Sequence, residues 1–186
     1  MSNLSDEKLA VLSYKDKNYF DPLVDRYAYK IQKYIARITG NWPESEDVTQ
    51  EVFIKAYENI ASFNAKMKFS SWLYRIAHNE SVNFIKKHYK VRHVEFNDEI
   101  KNHLSLENDA LKKILEEENT KLIKEGLLKL NKKDQEILEL YYFEDQSYLE
   151  IADILQMSVN SVGPTINRAK RKLKKIIDKI NKNEKH

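Results

Sequence analysis

Residues 69–83 read FSSWLYRIAHNESVN, and no Gly or Pro interrupts the chain there or through residue 89. The spacing predicts a helix over about residues 70–89, with Ser70 or Ser71 capping its first turn. At 100° per residue, Leu73, Ile76, Ala77 and Phe84 fall on one face, the stripe expected to pack. The opposite side gathers Trp72, Arg75, Asn79, Asn83 and Lys86. Those side chains suit a polyanion with exposed bases. Cations neutralise phosphates, an indole offers a stacking surface, and amides read base edges. A solvated polar face with a Trp at the core margin is the plainer explanation, and two features weigh against it. Asn is a poor helix former, yet two stand four residues apart on one face. Lys66 and Lys68 crowd the segment just before, so residues 65–90 hold six Lys or Arg against one acid. Glu80, near the apolar side, and Val82, on the polar one, fit this division badly.

The rest of the chain has the same helical grammar. It has 186 residues, room for one medium domain or two small ones, with only three Gly and three Pro. Alternating strand patterns are scarce and 3.6-residue periods dominate, so the fold class expected is all-α. There is no cysteine, which excludes disulfide and thiolate chemistry and suits a reducing compartment. The N-terminus lacks a signal-peptide pattern and no apolar run approaches membrane length. Cytoplasmic location without membrane insertion is therefore the expectation. Net charge is only +3; its distribution carries more information than its sum.

Before the opening stretch, residues 4–14 form a short helix capped by Ser5, and residues 19–39 a longer one ended by Gly40. That second helix reads as a core helix, and its Tyr27, Tyr29 and Tyr34 need no ligand to explain them. A turn at 41–43 leads to a helix from residue 44 or 45 to 61. Its packing face is Val48, Val52, Phe53, Ala56 and Ile60. The other side shows Asp47, Gln50, Glu51, Ile54 and Glu58. That stripe is either a solvated face or a docking ridge for a basic partner with Ile54 as its anchor.

After residue 90 the composition turns acidic. Residues 95–118 hold eight acids against three lysines, and about 91–107 reads as flexible linker. The organisation expected is thus 1–90, a linker over 91–117, and 118–186. His88, His93 and His103 are too loosely spaced for a metal site, and Glu116, Glu117 and Glu118 diverge by 100° each. No metal and no cofactor are expected. In the second module Asn131 caps a helix over 132–143. Ser147 and Glu150 form a capping box, and a short helix, a tight connection and a long basic helix follow. Short helix, turn and longer helix are the pattern of a helix-turn-helix. Residues 162–186 carry nine Lys or Arg against two acids, which suits a major groove, unless the helix is merely amphipathic with a solvated tail.

Both modules together resemble the sigma-70 family of bacterial transcription initiation factors, in its two-domain extracytoplasmic-function group. The first carries SEDVTQEVFIKAY, FSSWLYRIAHN and FIKK. The second carries LNKKDQEILELYYFEDQSYLEIADIL and RAKRKL. The resemblance covers roughly residues 18–90 and 118–178. It implies a promoter-specificity subunit that performs no covalent chemistry. By resemblance, Asp47, Gln50, Glu51 and Ile54 sit where the family docks on the β′ clamp helices of core RNA polymerase. Lys66, Lys68, Trp72, Arg75, Asn79, Asn83 and Lys86 fall where it opens and reads the minus-ten element by extruding a base. The second module implies duplex minus-thirty-five contacts through Asn160, Ser161, Thr165, Asn167, Arg168, Arg171 and Lys172, together with the β flap as a partner. An anti-sigma factor is a further implied partner.

Two departures stand out. His78 occupies a position where the family often has Arg. Residues 161–165, SVGPT, replace the usual TVKSR pattern, so two DNA-facing cations become Gly163 and Thr165. Pro164 lacks a backbone donor, so the last helix is either kinked there or starts near it with Ser161 as a cap. One rival is a stand-alone regulator that binds duplex operators without polymerase. A second is a helical hydrolase, for which no nucleophile–base pair stands at useful spacing.

Overall fold

The computed structural model describes residues 4–88 and 120–184. The chain divides into two compact units, Met1–Ile100 and Lys101–His186. The described residues form eight α-helices and two short 3₁₀ turns, with no strand among them. The expected linker over 91–117, with the acidic run at 116–118, lies outside the described residues.

In the first unit, helix α1 spans Asp6–Ser13, α2 Asp21–Thr39, α3 Trp42–Glu58 and α4 Phe69–His88. Ser5 accepts the Lys8 N–H and caps α1. Gly40 ends α2 in the left-handed region at φ 75°, a conformation that costs glycine nothing. Helix α3 begins earlier than expected. Asn41 accepts the Glu44 N–H as its cap, and Trp42-Pro43 is the helix's first turn rather than a loop. Proline's fixed φ and missing donor suit that position.

Helices α2, α3 and α4 pack against one another around Leu23, Ile31, Ile35, Val52, Ala56, Leu73 and Ala77, all buried. The Tyr34 and Tyr74 rings meet edge-on at 5.1 Å, so these aromatics serve packing. Buried hydroxyls are satisfied within their own helices. Thr39 donates to the Ile35 carbonyl at 2.9 Å, Thr49 to Ser45 at 2.7 Å and Ser81 to Ala77 at 2.8 Å, which removes most of the cost of burying them. Glu80, which fitted the sequence pattern badly, receives the Lys55 ammonium of α3 at 2.5 Å. It ties α3 to α4 instead of facing solvent.

In the second unit, helix α5 spans Thr120–Leu128, α6 Lys132–Tyr142, α7 Tyr148–Ile154 and α8 Val159–Glu184. Helix α8 packs on the other three through Val162, Ile166, Ala169, Leu173, Ile177 and Ile180. Asn131 accepts the Asp134 N–H to cap α6, and the Ser147–Glu150 capping box closes α7 reciprocally. Helix α5 comes so close to α8 at Gly126 that a Cβ there would stand 2.9 Å from Leu173.

The question left open at Pro164 has an answer here. Helix α8 starts at Val159 and runs through Pro164, so it neither begins near the proline nor uses Ser161 as a cap. The Ser161 hydroxyl donates to the Ser158 carbonyl at 2.6 Å within the first turn. Gly163 meets the ring of Tyr148, where a Cβ would stand 3.2 Å from the ring edge.

Candidate functional sites

The polar side of α4 is largely what the sequence promised, with one correction. Arg75 is half-buried, and Asn79, Asn83 and Lys86 are exposed along one line of the helix. Trp72 begins that line by angle, yet it is only 6% exposed. Its ring lies 5.4 Å from Phe63 and 5.8 Å from Phe69. Periodicity places the Cβ correctly but ignores the loop folded over the helix's first turn. Phe63, at the start of that loop, covers the indole. Trp72 is therefore a core residue, and it presents no stacking surface in this structure.

The loop before α4 is a turn whose two ends meet. Phe63 and Phe69 touch at 5.7 Å between ring centres. Between them the Met67 N–H reaches the Asn64 carbonyl at 2.9 Å and the Lys66 N–H reaches the Asn64 side chain at 3.0 Å. Asn64, Lys66 and Lys68 are all exposed. This arrangement presents two cations and one amide on a short arch that leads into α4.

The expected cap of α4 is a second correction. The helix starts at Phe69, which makes Lys68 its boundary residue, and a lysine side chain accepts no hydrogen bond. Ser71 donates to the Lys68 carbonyl at 3.2 Å rather than capping. The acceptor is Glu7 of α1, whose carboxylate takes the Phe69 N–H at 3.3 Å. The local sequence offered Ser70 and Ser71 as caps and carries no signal for Glu7, 62 residues away.

On α3 the ridge of Asp47, Gln50, Glu51 and Ile54 is exposed throughout. Ile54 is 51% exposed, with Tyr57 at 42% beside it. A half-exposed branched side chain framed by carboxylates is the pattern of an anchor with a charged surround.

On α8 the outward face carries Asn160, Asn167, Arg168 and Arg171, all exposed. Arg168, Arg171, Lys172, Lys174, Lys175 and Asp178 line one shallow hollow. Two of the expected contact residues stand at the margin of that face, and a third, Lys172, lines the hollow but is paired within the fold. Ser161 and Thr165 are half-buried at the helix margin. Lys172 pairs with Asp134 of α6, a carboxylate 3% exposed that also receives the Asn131 amide at 2.5 Å. A cation holding a buried carboxylate is committed to the fold. On the same helix, burial pushes the Lys132 ammonium down to about 8, against the opposing pull of Glu139 and Glu136. Among the described residues no group of three His, Cys, Asp or Glu is placed to hold a metal ion. No described helix is long and apolar enough to cross a membrane.

Known proteins match both units. The sigma-70 region 2 model matches residues 23–91 and the sigma-70 region 4 model matches residues 120–173. The ECF RNA polymerase sigma factor SigW of Bacillus subtilis is 34% identical over 167 residues, 86% of this chain and 89% of SigW. The chain belongs to the sigma-70 family, in its extracytoplasmic-function group. A second B. subtilis relative, the RNA polymerase sigma factor YlaC, is 29% identical across 91% of this chain and 98% of its own. Among solved structures, CnrH in complex with the cytosolic domain of CnrY matches with a TM-score of 0.67 at 24% identity, covering 93% of this chain and 97% of CnrH. The sigma factor RpoE of Bartonella quintana, in complex with the anti-sigma factor NepR, matches at 0.66 and 16% identity, over 86% of this chain and 96% of RpoE. Those two likenesses bear on the fold. The sigma-70 assignment rests on the sequence relatives and the two family models.

Proposed function

We propose that this sigma factor docks on core RNA polymerase through the α3 ridge, Asp47, Gln50, Glu51 and Ile54. It then holds the opened minus-ten region with the loop residues Asn64, Lys66 and Lys68 and the α4 line Arg75, Asn79, Asn83 and Lys86. Helix α8 meets duplex minus-thirty-five DNA through Asn160, Asn167, Arg168 and Arg171. The observation that carries the reading is the separation of the two ridges in the first unit. Adjacent helices bury their apolar sides against each other and leave an acidic-and-isoleucine ridge on one and a basic-and-amide line on the other. Opposite charge characters suit opposite partners, a basic protein surface and a nucleic acid.

The names of the relatives favour this reading over that of a stand-alone operator-binding regulator. The solved likeness of a sigma factor held by an anti-sigma factor supports an anti-sigma partner here as well. The role calls for no covalent step, and it places the protein in the cytoplasm, where polymerase works.

Size-exclusion chromatography with purified core polymerase tests the docking. The wild-type chain co-elutes with core, and reversal of Asp47 and Glu51 to Lys separates them. A wild-type chain that elutes alone refutes the assignment of the α3 ridge.

A further inference from the structure

Helix α1 lies outside the segment that the region 2 model matches, which begins at residue 23. It nevertheless makes a specific contact with the base of the loop read above as the minus-ten site. Its Glu7 carboxylate accepts the Phe69 N–H across 62 residues of sequence. Helix α1 is itself pinned. The preceding residue, Asp6, receives the Arg26 guanidinium and the Tyr27 hydroxyl, each at 2.5 Å, and Arg26 also donates to the Leu4 carbonyl at 3.1 Å. Tyr27 in turn sets its ring edge-on to Phe69 at 5.7 Å. Burial and its bond to Asp6 push the Tyr27 hydroxyl up from its usual range, so it stays protonated and keeps donating.

Phe69 therefore stands at the junction of three constraints. Glu7 holds its backbone N–H, Tyr27 meets its ring from α2, and Phe63 closes on it from the far end of the loop. Lys68, the residue before the helix, has only side-chain donors and cannot act as its N-cap. An uncapped first turn frays, and here fraying would release the arch that carries Asn64, Lys66 and Lys68.

We propose that Glu7 is a positioning residue for promoter opening. By capping α4 from α1, it fixes the base of the loop at 63–68 so that the loop is already shaped when an unpaired base arrives. Preorganisation of this kind lowers the ordering cost of binding. The inference rests on the assignment of that loop to the minus-ten strand.

The test uses full-length protein assembled with core polymerase. Its probe is a single-stranded oligonucleotide bearing the non-template minus-ten segment of a promoter the holoenzyme starts from. Glu7→Ala is expected to weaken oligonucleotide affinity roughly 2- to 30-fold, the range of a lost N-cap, with affinity for core polymerase unchanged. Glu7→Gln keeps an acceptor oxygen and is expected to restore most of the loss. Three results would overturn the proposal: unchanged oligonucleotide affinity in Glu7→Ala, a parallel fall in core affinity, or a Glu7→Gln variant as weak as Glu7→Ala. A wild-type holoenzyme that fails to bind the oligonucleotide would instead refute the assignment of the loop itself.

Discussion

Truncating Ile54 to Ala separates an apolar anchor from a merely acidic surface. The side chain is 51% exposed, so about half of its surface remains to be covered by a partner. Full burial of an isoleucine is worth roughly 1.5–3 kcal/mol. The part still available is then about 0.8–1.5 kcal/mol, a loss of about 4- to 12-fold in Kd for core polymerase. Because the residue lies outside the core, the change is expected to leave the fold's own stability within about 0.5 kcal/mol. The assay is an equilibrium titration of labelled protein with core polymerase at about 0.1 M and about 0.5 M salt. Screening shortens the reach of exposed charges across that range. The Asp47→Lys and Glu51→Lys double variant is accordingly expected to bind badly at low salt and to recover partly at high salt. The Ile54→Ala deficit is expected to persist at both. An Ile54→Ala protein that binds like wild type at both salts would refute the anchor, and a deficit that vanishes with salt would reduce it to an electrostatic bystander.

Other positions give equally separable outcomes. Trp72→Ala removes a buried indole and is expected to cost about 3–5 kcal/mol of stability, read by chemical denaturation; a stable variant with only a DNA defect would contradict its placement in the core. Arg168→Ala with Arg171→Ala is expected to flatten the salt dependence of duplex binding by about 1.8 in log–log slope. Lys172→Ala is expected to leave that slope unchanged and to lower the melting temperature, because it removes the cation paired with the buried Asp134. Lys132 titrates differently folded and unfolded. Its folded value, lowered to about 8 from 10.5, means the folded state releases a proton that the unfolded state keeps between those two pH values. Stability from this group therefore rises as pH climbs through that window, by at most about 3 kcal/mol. Lys132→Met is expected to remove that rise, visible as a smaller difference between melting temperatures at pH 7.5 and 9.5; an unchanged difference would refute it.

Much of this was legible in the sequence because helices write a strong period. The stripes on α3 and α8, the caps at Ser5, Asn131 and Ser147, and the stop at Gly40 all follow from local rules. What escaped was non-local. Trp72 has the angular address of an exposed residue and is covered by Phe63, on the loop before its helix. Lys172 has the address of a phosphate contact and is committed to Asp134, 38 positions away. Glu80 breaks the apolar pattern of α4 because Lys55 meets it from α3. The cap of α4 comes from Glu7, which no window around residue 69 contains. In each case the partner lies outside the helix concerned, and a one-dimensional period carries no record of it.

Transcription from a randomised promoter library by core polymerase, with and without this chain, tests the central claim most directly. With the chain present, a distinct set of start sites sharing minus-ten and minus-thirty-five elements is expected. Reversal of the α3 ridge is expected to abolish that selection. Identical start sites with and without the chain would contradict it.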